Sequence, residues 1–247
     1  MALKVRVVGV GDAFTARYYN ACLLVESANT RLLIDAPPAL ARALRDLGER
    51  GGETVSLDDV DSVLITHLHG DHCGGLEQLL FWRRFVTQRK CSVYAIAPVL
   101  AGLWEGRLRG GMDVLLDGEG ARHPLRLEDY ATLVTLGAEG PTEIGDLSIA
   151  WRETVHHIPT SALKITHRGA TFGYSADTSF DPSLIAWLAE SALFFHETNL
   201  GIHTPLGALE SLDAATRAKV RLIHYPDFHD PAQTSMATAR EGDAYTV

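Results

Sequence analysis

The sequence predicts an α/β fold, an αββα sandwich of two packed mixed sheets with helices outside. Three observations carry this expectation. The chain opens on β-type runs, strand-like and helical runs then alternate in two successive series, and a histidine-rich turn directly follows a buried strand. In such a sandwich the polar loops at the strand ends gather along one edge. The 247 residues, 46% of them apolar, suffice for a substantial core, and neither a linker nor a short repeat divides them. Residues 1–247 therefore read as a single domain.

The elements follow in order. "LKVRVVGVG" alternates through Leu3, Val5 and Val7 and stops at glycine, which is strand behaviour. "ACLLVES" and "RLLIDA" are β-type runs joined by the turn-rich "SANT", a hairpin pattern. "PPALARALRDLG" opens on proline, repeats apolar residues at helical spacing and ends at Gly48, so a helix is expected. "DSVLITH" reads as a short buried strand that delivers His67 at its end. Beyond Gly74-Gly75, "LEQLLFWRRFV" is an amphipathic helix and "CSVYAIA" a strand. Residues 99–140, rich in glycine and charge, are expected to form a loop, a cap or a dimer contact. The second half returns to strands in "LSIAWRETVHH", "LKITHRGATFGYSAD", "ALFFHET" and "VRLIHYPD". Two helices, "DPSLIAWLAES" and "PLGALESLDAATRAK", separate them, each with proline near its start.

Charge and cysteine content narrow the function. A formal charge of −9 without a long basic block argues against gripping long nucleic acid by phosphate neutralisation. A small anionic substrate stays open, because bound metal ions reverse the field inside a pocket. Cys22, Cys73 and Cys91 are too scattered for a disulfide framework or an all-thiolate zinc site, which suits a reducing cytosol. "MALKVRVVGVGDAF" reads as a strand rather than a signal peptide, and no segment reaches the apolar length of a membrane span. The expectation is a cytoplasmic protein without a membrane partner.

"LITHLHGDHCGG" carries the chemistry. His67 and His69, two apart in an extended stretch, project to the same side. Gly70 permits a sharp turn that points Asp71 and His72 back at nearly the same space. Imidazoles and a carboxylate suit zinc or similar divalent ions. Four such residues on one strand-to-helix turn cannot all reach one ion, so two adjacent ions are expected. A single histidine here would ordinarily cap a helix or sit at the surface; the whole set after a buried strand points to metal.

"HLHGDH" matches the H-x-H-x-D-H signature of the metallo-β-lactamase superfamily, whose fold is the αββα sandwich with a dinuclear site at its edge. The resemblance runs through the chain. "VVGVGDAF…YYNACLLVE…LLIDA" is similar to the N-terminal strands of the ribonuclease Z and cyclic phosphodiesterase branch. "VHHIPTSALKI", "FGYSADTS", "LFFHET" and "RLIHYPD" resemble its later segments. The resemblance implies that His67, His69 and His156 hold one ion, that Asp71, His72 and His224 hold the other, and that Asp177 bridges them. His156 is chosen over His157 on the H-x-I-P register alone. The ions implied are two divalent cations, with Zn²⁺ expected and Mn²⁺ or Fe²⁺ compatible with the same ligands. They would lower the pKa of a bridging water, so that hydroxide attacks a phosphodiester in line. The catalytic set implied is Asp71, which also orients the attacking water, His203, which returns a proton to the leaving oxygen, and Glu197, which orients His203.

Other signals are weaker. "GVGDAF" has Phe14 where a dinucleotide fingerprint needs its third glycine, and "SALK" lacks partner motifs. His123, His167 and His229 lack a ligand-like setting, although His229 in "YPDFHD" is close enough to His224 to line the pocket. Enzymes of this branch that process tRNA carry a long arm between the third histidine and the bridging aspartate. Here only residues 157–176 intervene, filled by strand-like runs. A small or cyclic phosphodiester, most simply a cyclic nucleotide, is the expected substrate. "LWEGRLRGGMDV" also resembles a feature of anti-Pycsar-type cyclic-nucleotide phosphodiesterases, and Trp104, Arg107, Arg109 and Tyr130 are candidates for a phosphate clamp and a stacking ring. The alternatives are a ribonuclease Z-like RNA endonuclease and a lactone or ester hydrolase on the same fold. A homodimer is implied by the resemblance, with 99–140 as its contact.

Overall fold

A computed structural model describes residues 2–51 and 53–247. The strands are β1 (Lys4–Gly9), β2 (Cys22–Glu26), β3 (Arg31–Ile34), β4 (Ser62–Leu64), β5 (Cys91–Ala95), β6 (Val114–Leu116), β7 (Arg122–Pro124), β8 (Ala131–Thr135), β9 (Thr142–Ile144), β10 (Leu147–Glu153), β11 (Ser161–His167), β12 (Ala170–Tyr174), β13 (Leu193–Glu197), β14 (Val220–Ile223) and β15 (Ala244–Thr246). The α-helices are α1 (Leu40–Gly51), α2 (Gly70–Cys73), α3 (Leu76–Trp82), α4 (Ala97–Leu103), α5 (Arg109–Met112), α6 (Leu127–Tyr130), α7 (Pro182–Leu188), α8 (Leu206–Glu210) and α9 (Ala214–Lys219).

Two mixed sheets form. The first runs β15-β1-β2-β3-β4-β5-β8 and the second β14-β13-β12-β11-β10-β9. Alternation along each strand sends side chains to two different cores. In β12 and β13, Phe172, Tyr174 and Phe195 join the core shared with the first sheet, whereas Phe194 packs with Leu184 and Leu188 beneath α7. Gly173, on the α7 side, has no alternative: a Cβ there would stand 2.8 Å from Leu188 Cδ2 and 2.9 Å from Phe194 Cβ. The αββα layering expected from the sequence is therefore present.

Several local expectations are corrected. "LEQLLFWRRFV" is α-helical only to Trp82; Arg83–Thr87 widens into a π-turn that ends at Gln88 with φ 56°. "PLGALESLDAATRAK" breaks into α8 and α9, because Asp213 takes an extended backbone and its carboxylate caps Thr216 N–H at 3.0 Å. The segment 99–140 is no open loop. It contributes helices, the β6–β7 hairpin and the edge strand β8 that pairs in parallel with β5. Tyr130, one of the candidates for a stacking ring, is instead a packing residue, wholly buried and donating its hydroxyl to Met112 O at 2.8 Å. Between His156 and Asp177 the chain forms the β11–β12 hairpin, turning at Arg168-Gly169 with positive φ at both residues, so the interval carries no arm.

Candidate metal centre

The site lies where strands of both sheets end. From the first sheet, β4 runs out at Leu64 and an extended stretch carries His67 and His69 into the short helix α2, which holds Asp71 and His72. Gly75 ends this turn for a steric reason, since a Cβ would lie 2.1 Å from Pro37 O. From the second sheet come His156 after β10, Asp177 after β12, Glu197 at the end of β13 and His224 just past β14. Ala176 (φ 49°) and His224 (φ 50°) adopt the left-handed region that non-glycine residues avoid. Such strain persists where surrounding structure holds it, and here it turns the ligand candidates inward.

The expected residues converge. His67, His69, His156 and Asp177 each offer a ligand atom within one 4.8 Å group, and Asp71, His72 and His224 form a second. Asp177 faces both. Its Oδ2 lies 3.7 Å from His67 Nε2 and from His156 Nε2, while its Oδ1 lies 3.2 Å from His72 Nε2 and 3.6 Å from His224 Nε2. Asp71 Oδ2 stands 3.3 Å from both His72 Nε2 and His224 Nε2. His156 belongs to the cluster, with Nε2 3.1 Å from His69 Nδ1, whereas His157 is exposed.

The electrostatics suit divalent cations. Burial, reinforced by the charge of His72, pushes the His67 pKa well below the ordinary imidazole value, and burial lowers His156 to about 4. Neutral imidazole is the form that ligates metal. Burial also disfavours charge on His224, yet Asp177, Asp71 and Glu197 together raise it to about 10. Carboxylates that retain a proton there would equally hold a cation in its stead. Asp71 goes the other way: burial alone would raise it, but His224 and His72 hold it far below the carboxylate range. His72 Nε2 and Asp177 Oδ1 are buried without hydrogen-bond partners, and buried polar atoms rarely stay unpaired. These donors fit divalent cations.

Glu197 lies beneath the second-sheet ligands. It is fully buried, accepts from Thr178 N–H, and has Oε2 2.7 Å from His203 Nδ1 and 3.2 Å from His224 Nδ1. His203 loses some basicity to burial, but Glu197 more than restores it and raises its pKa. Asp35 plays the corresponding part beneath the first-sheet ligands and was not singled out from the sequence. It is fully buried at φ 65°, with Oδ2 2.8 Å from His72 Nδ1. The one available signal was a carboxylate closing the apolar run "RLLIDA". Of the weaker candidates, exposed His123 pairs with Asp117 at 2.7 Å, and buried His167 lies 3.2 Å from Asp146. The His229 ring packs beside Tyr225, tilted by 39° with centroids 4.8 Å apart.

A cleft of about 620 Å³ opens beside His203 and His224. Asp12, Asn199, Phe14, Leu200, Ile202 and Phe228 line it, and Phe14 and Phe228 are 91% and 69% exposed. Among the described residues that line it, none is lysine or arginine. Trp104 and Arg109 line a separate cleft, where Arg109 pairs with Glu105 at 2.7 Å and with Asp113 at 3.5 Å. Among the described residues no helix is long and apolar enough to cross a membrane.

Comparison with known proteins gives a consistent answer. The family model described as "Anti-Pycsar protein Apyc1" matches residues 3–244. An anti-Pycsar protein Apyc1 from Paenibacillus sp. (strain J14) is 33% identical over 258 aligned positions, covering 100% of both chains. One from Bacillus phage 010DV004 is 34% identical, covering 91% of this chain and 90% of its own. Among solved structures, the metallo-β-lactamase fold protein YhfI from Bacillus subtilis superposes with a TM-score of 0.78 at 19% identity, covering 99% of each chain.

Proposed function

The chain belongs to the anti-Pycsar Apyc1 family, and from that premise we propose that its edge site is a dinuclear metal centre that hydrolyses a cyclic nucleotide. The observation that carries this reading is Asp177, whose two carboxylate oxygens face different histidine groups. His67, His69 and His156 would hold one ion, Asp71, His72 and His224 the other, and Asp177 both. Zn²⁺ fits this donor set best, with Mn²⁺ or Fe²⁺ as alternatives. Ions bound there supply positive charge opposite the phosphodiester oxygens and make water acidic enough to act as a nucleophile near neutral pH.

The chain's own groups do the rest. Asp71, held ionised by its two histidine neighbours, accepts a hydrogen bond from the attacking water and aims it at phosphorus. Breaking the P–O bond leaves an alkoxide that needs a proton. His203 supplies it from Nε2, because Glu197 accepts at Nδ1 and favours the protonated ring. The cleft walls of Phe14, Leu200, Ile202 and Phe228 give the rest of the substrate an apolar surface. With no lysine or arginine among the described residues of that lining, ions held at the site would carry the attraction for the phosphate together with the protonated ring of His203. The compact β11–β12 hairpin favours a small substrate over folded RNA.

The test is a substrate panel of 2′,3′- and 3′,5′-cyclic nucleotides, a tRNA precursor and lactones, with Asp71→Ala as control. Turnover of cyclic nucleotides, absent from the control, is expected. Lactone turnover without phosphodiester turnover would overturn the proposal.

A further inference from the structure

Thr66 and Asp35 touch no part of the cleft, yet both are wholly buried at the base of the first-sheet ligands. Thr66 N–H donates to Asp35 Oδ1 at 2.8 Å, and Thr66 Oγ1 lies 2.9 Å and 3.0 Å from the two carboxylate oxygens. On its other side Thr66 Oγ1 lies 3.0 Å from His67 Nδ1. Asp35 Oδ2 is meanwhile 2.8 Å from His72 Nδ1. A hydroxyl has one proton to give. A carboxylate can only accept, so the Thr66 proton goes to Asp35. The oxygen then has only lone pairs to offer His67, and His67 Nδ1 has to be the donor. His72 Nδ1 likewise has to donate to Asp35. Both rings therefore carry a proton on Nδ1 and present Nε2, unprotonated once an ion is bound, toward the cluster.

We propose that Asp35 and Thr66 form a single tautomer lock shared by both ion positions, Asp35 acting directly on His72 and through the Thr66 hydroxyl on His67. These are positioning residues, and the inference rests on the two-ion reading of the site. The lock has a directional consequence. The hydroxyl serves His67 alone, whereas the carboxylate serves both histidines. The left-handed backbone of Asp35 and its 2.8 Å N–H bond to Leu64 O keep the carboxylate at the end of β3, under both ligands.

Three variants test this: Thr66→Val, which keeps the shape and removes the hydroxyl, Thr66→Ser, which restores it, and Asp35→Asn. Two readouts apply. Long-range proton–nitrogen NMR on the metal-free protein reports the His67 tautomer. Competition against a chelator reports the affinity of each ion. In the wild type His67 is expected as the Nδ1–H tautomer alone. In Thr66→Val it becomes a mixture, one ion weakens by about 10–100-fold while the other keeps its affinity, and Thr66→Ser recovers both properties. Asp35→Asn weakens both ions. A single Nδ1–H tautomer in Thr66→Val with unchanged binding would overturn the lock, as would equal weakening of both ions in that variant. Wild type that binds no ion in the competition assay would instead refute the two-ion reading, and the tautomer measurement still decides the lock. If Asp35→Asn fails to fold, the Thr66 pair carries the test alone.

Discussion

The first-sheet and second-sheet halves of the site reach the same edge by different routes. The first packs His67, His69, Asp71 and His72 into one turn after β4, steadied by buried Asp35. The second draws His156, Asp177 and His224 from the ends of three separate strands, steadied by buried Glu197. In the contiguous half, local chain geometry sets the spacing between ligands. In the dispersed half, strand register sets it, so its accuracy depends on the core between the sheets. Both halves use the same device, one buried carboxylate beneath the imidazoles. Glu197 differs in also holding His203, so under the proposed function the dispersed half would join metal binding to proton transfer.

The largest effect that would separate the halves is expected from Asp177, which faces both. Asp177→Ala should abolish turnover by several orders of magnitude and weaken both ions, measured by metal content after dialysis alongside steady-state kinetics. Retention of two tightly bound ions would break the bridging role. Asp71→Ala should also be inactive but keep the ion held by His67, His69 and His156, so its metal content should fall from two toward one. His203→Ala sharpens the distinction within the second half. It should lower kcat by about 10²–10⁴-fold with metal content unchanged. An aryl phosphodiester, whose phenolate leaves without a proton, should lose far less. Equal losses on both substrates would remove His203 from the proton-donor role. Glu197→Gln should cost less, about 10–100-fold, because the amide oxygen still accepts from Nδ1 and only the charge that favours the protonated ring is lost.

The smallest expected effect concerns the clasp between the two sheets. The hydroxyls of Ser27 and Thr30, in the β2–β3 turn, donate to Asp146 in the β9–β10 turn. These two bonds hold the Asp146 pKa down, to about 2. A carboxyl depressed in the folded state contributes stability above its unfolded pKa, near 3.9, and loses it as pH falls toward 2. Thermal melting of Asp146→Asn should therefore show a shallower decline than wild type between those values. Identical slopes would show that the clasp is not coupled to protonation.

How much of this the sequence discloses differs between the halves for the same reason. "HLHGDH" is readable because all four side chains sit on one turn, and periodicity places that turn after a buried strand. Asp177 and His224 are each isolated near a strand end, His156 has His157 as an equal rival beside it, and only resemblance joins the three. Asp35 hides because an aspartate ending an apolar run looks like any strand terminus; its role exists only when β3 and β4 pair in register. Tyr130 is undecided in the sequence, since an aromatic in a charged stretch suits packing as well as stacking until α6 turns it under Met112. The break at Asp213 was legible in principle as an aspartate N-cap inside a helical pattern.

The account rests on two ions sharing one carboxylate, and anomalous diffraction from metal-loaded crystals tests that most directly. The prediction is two peaks, one among His67, His69 and His156 and one among Asp71, His72 and His224, each contacted by a different oxygen of Asp177. A single peak, or two peaks with Asp177 bound to only one of them, would contradict it.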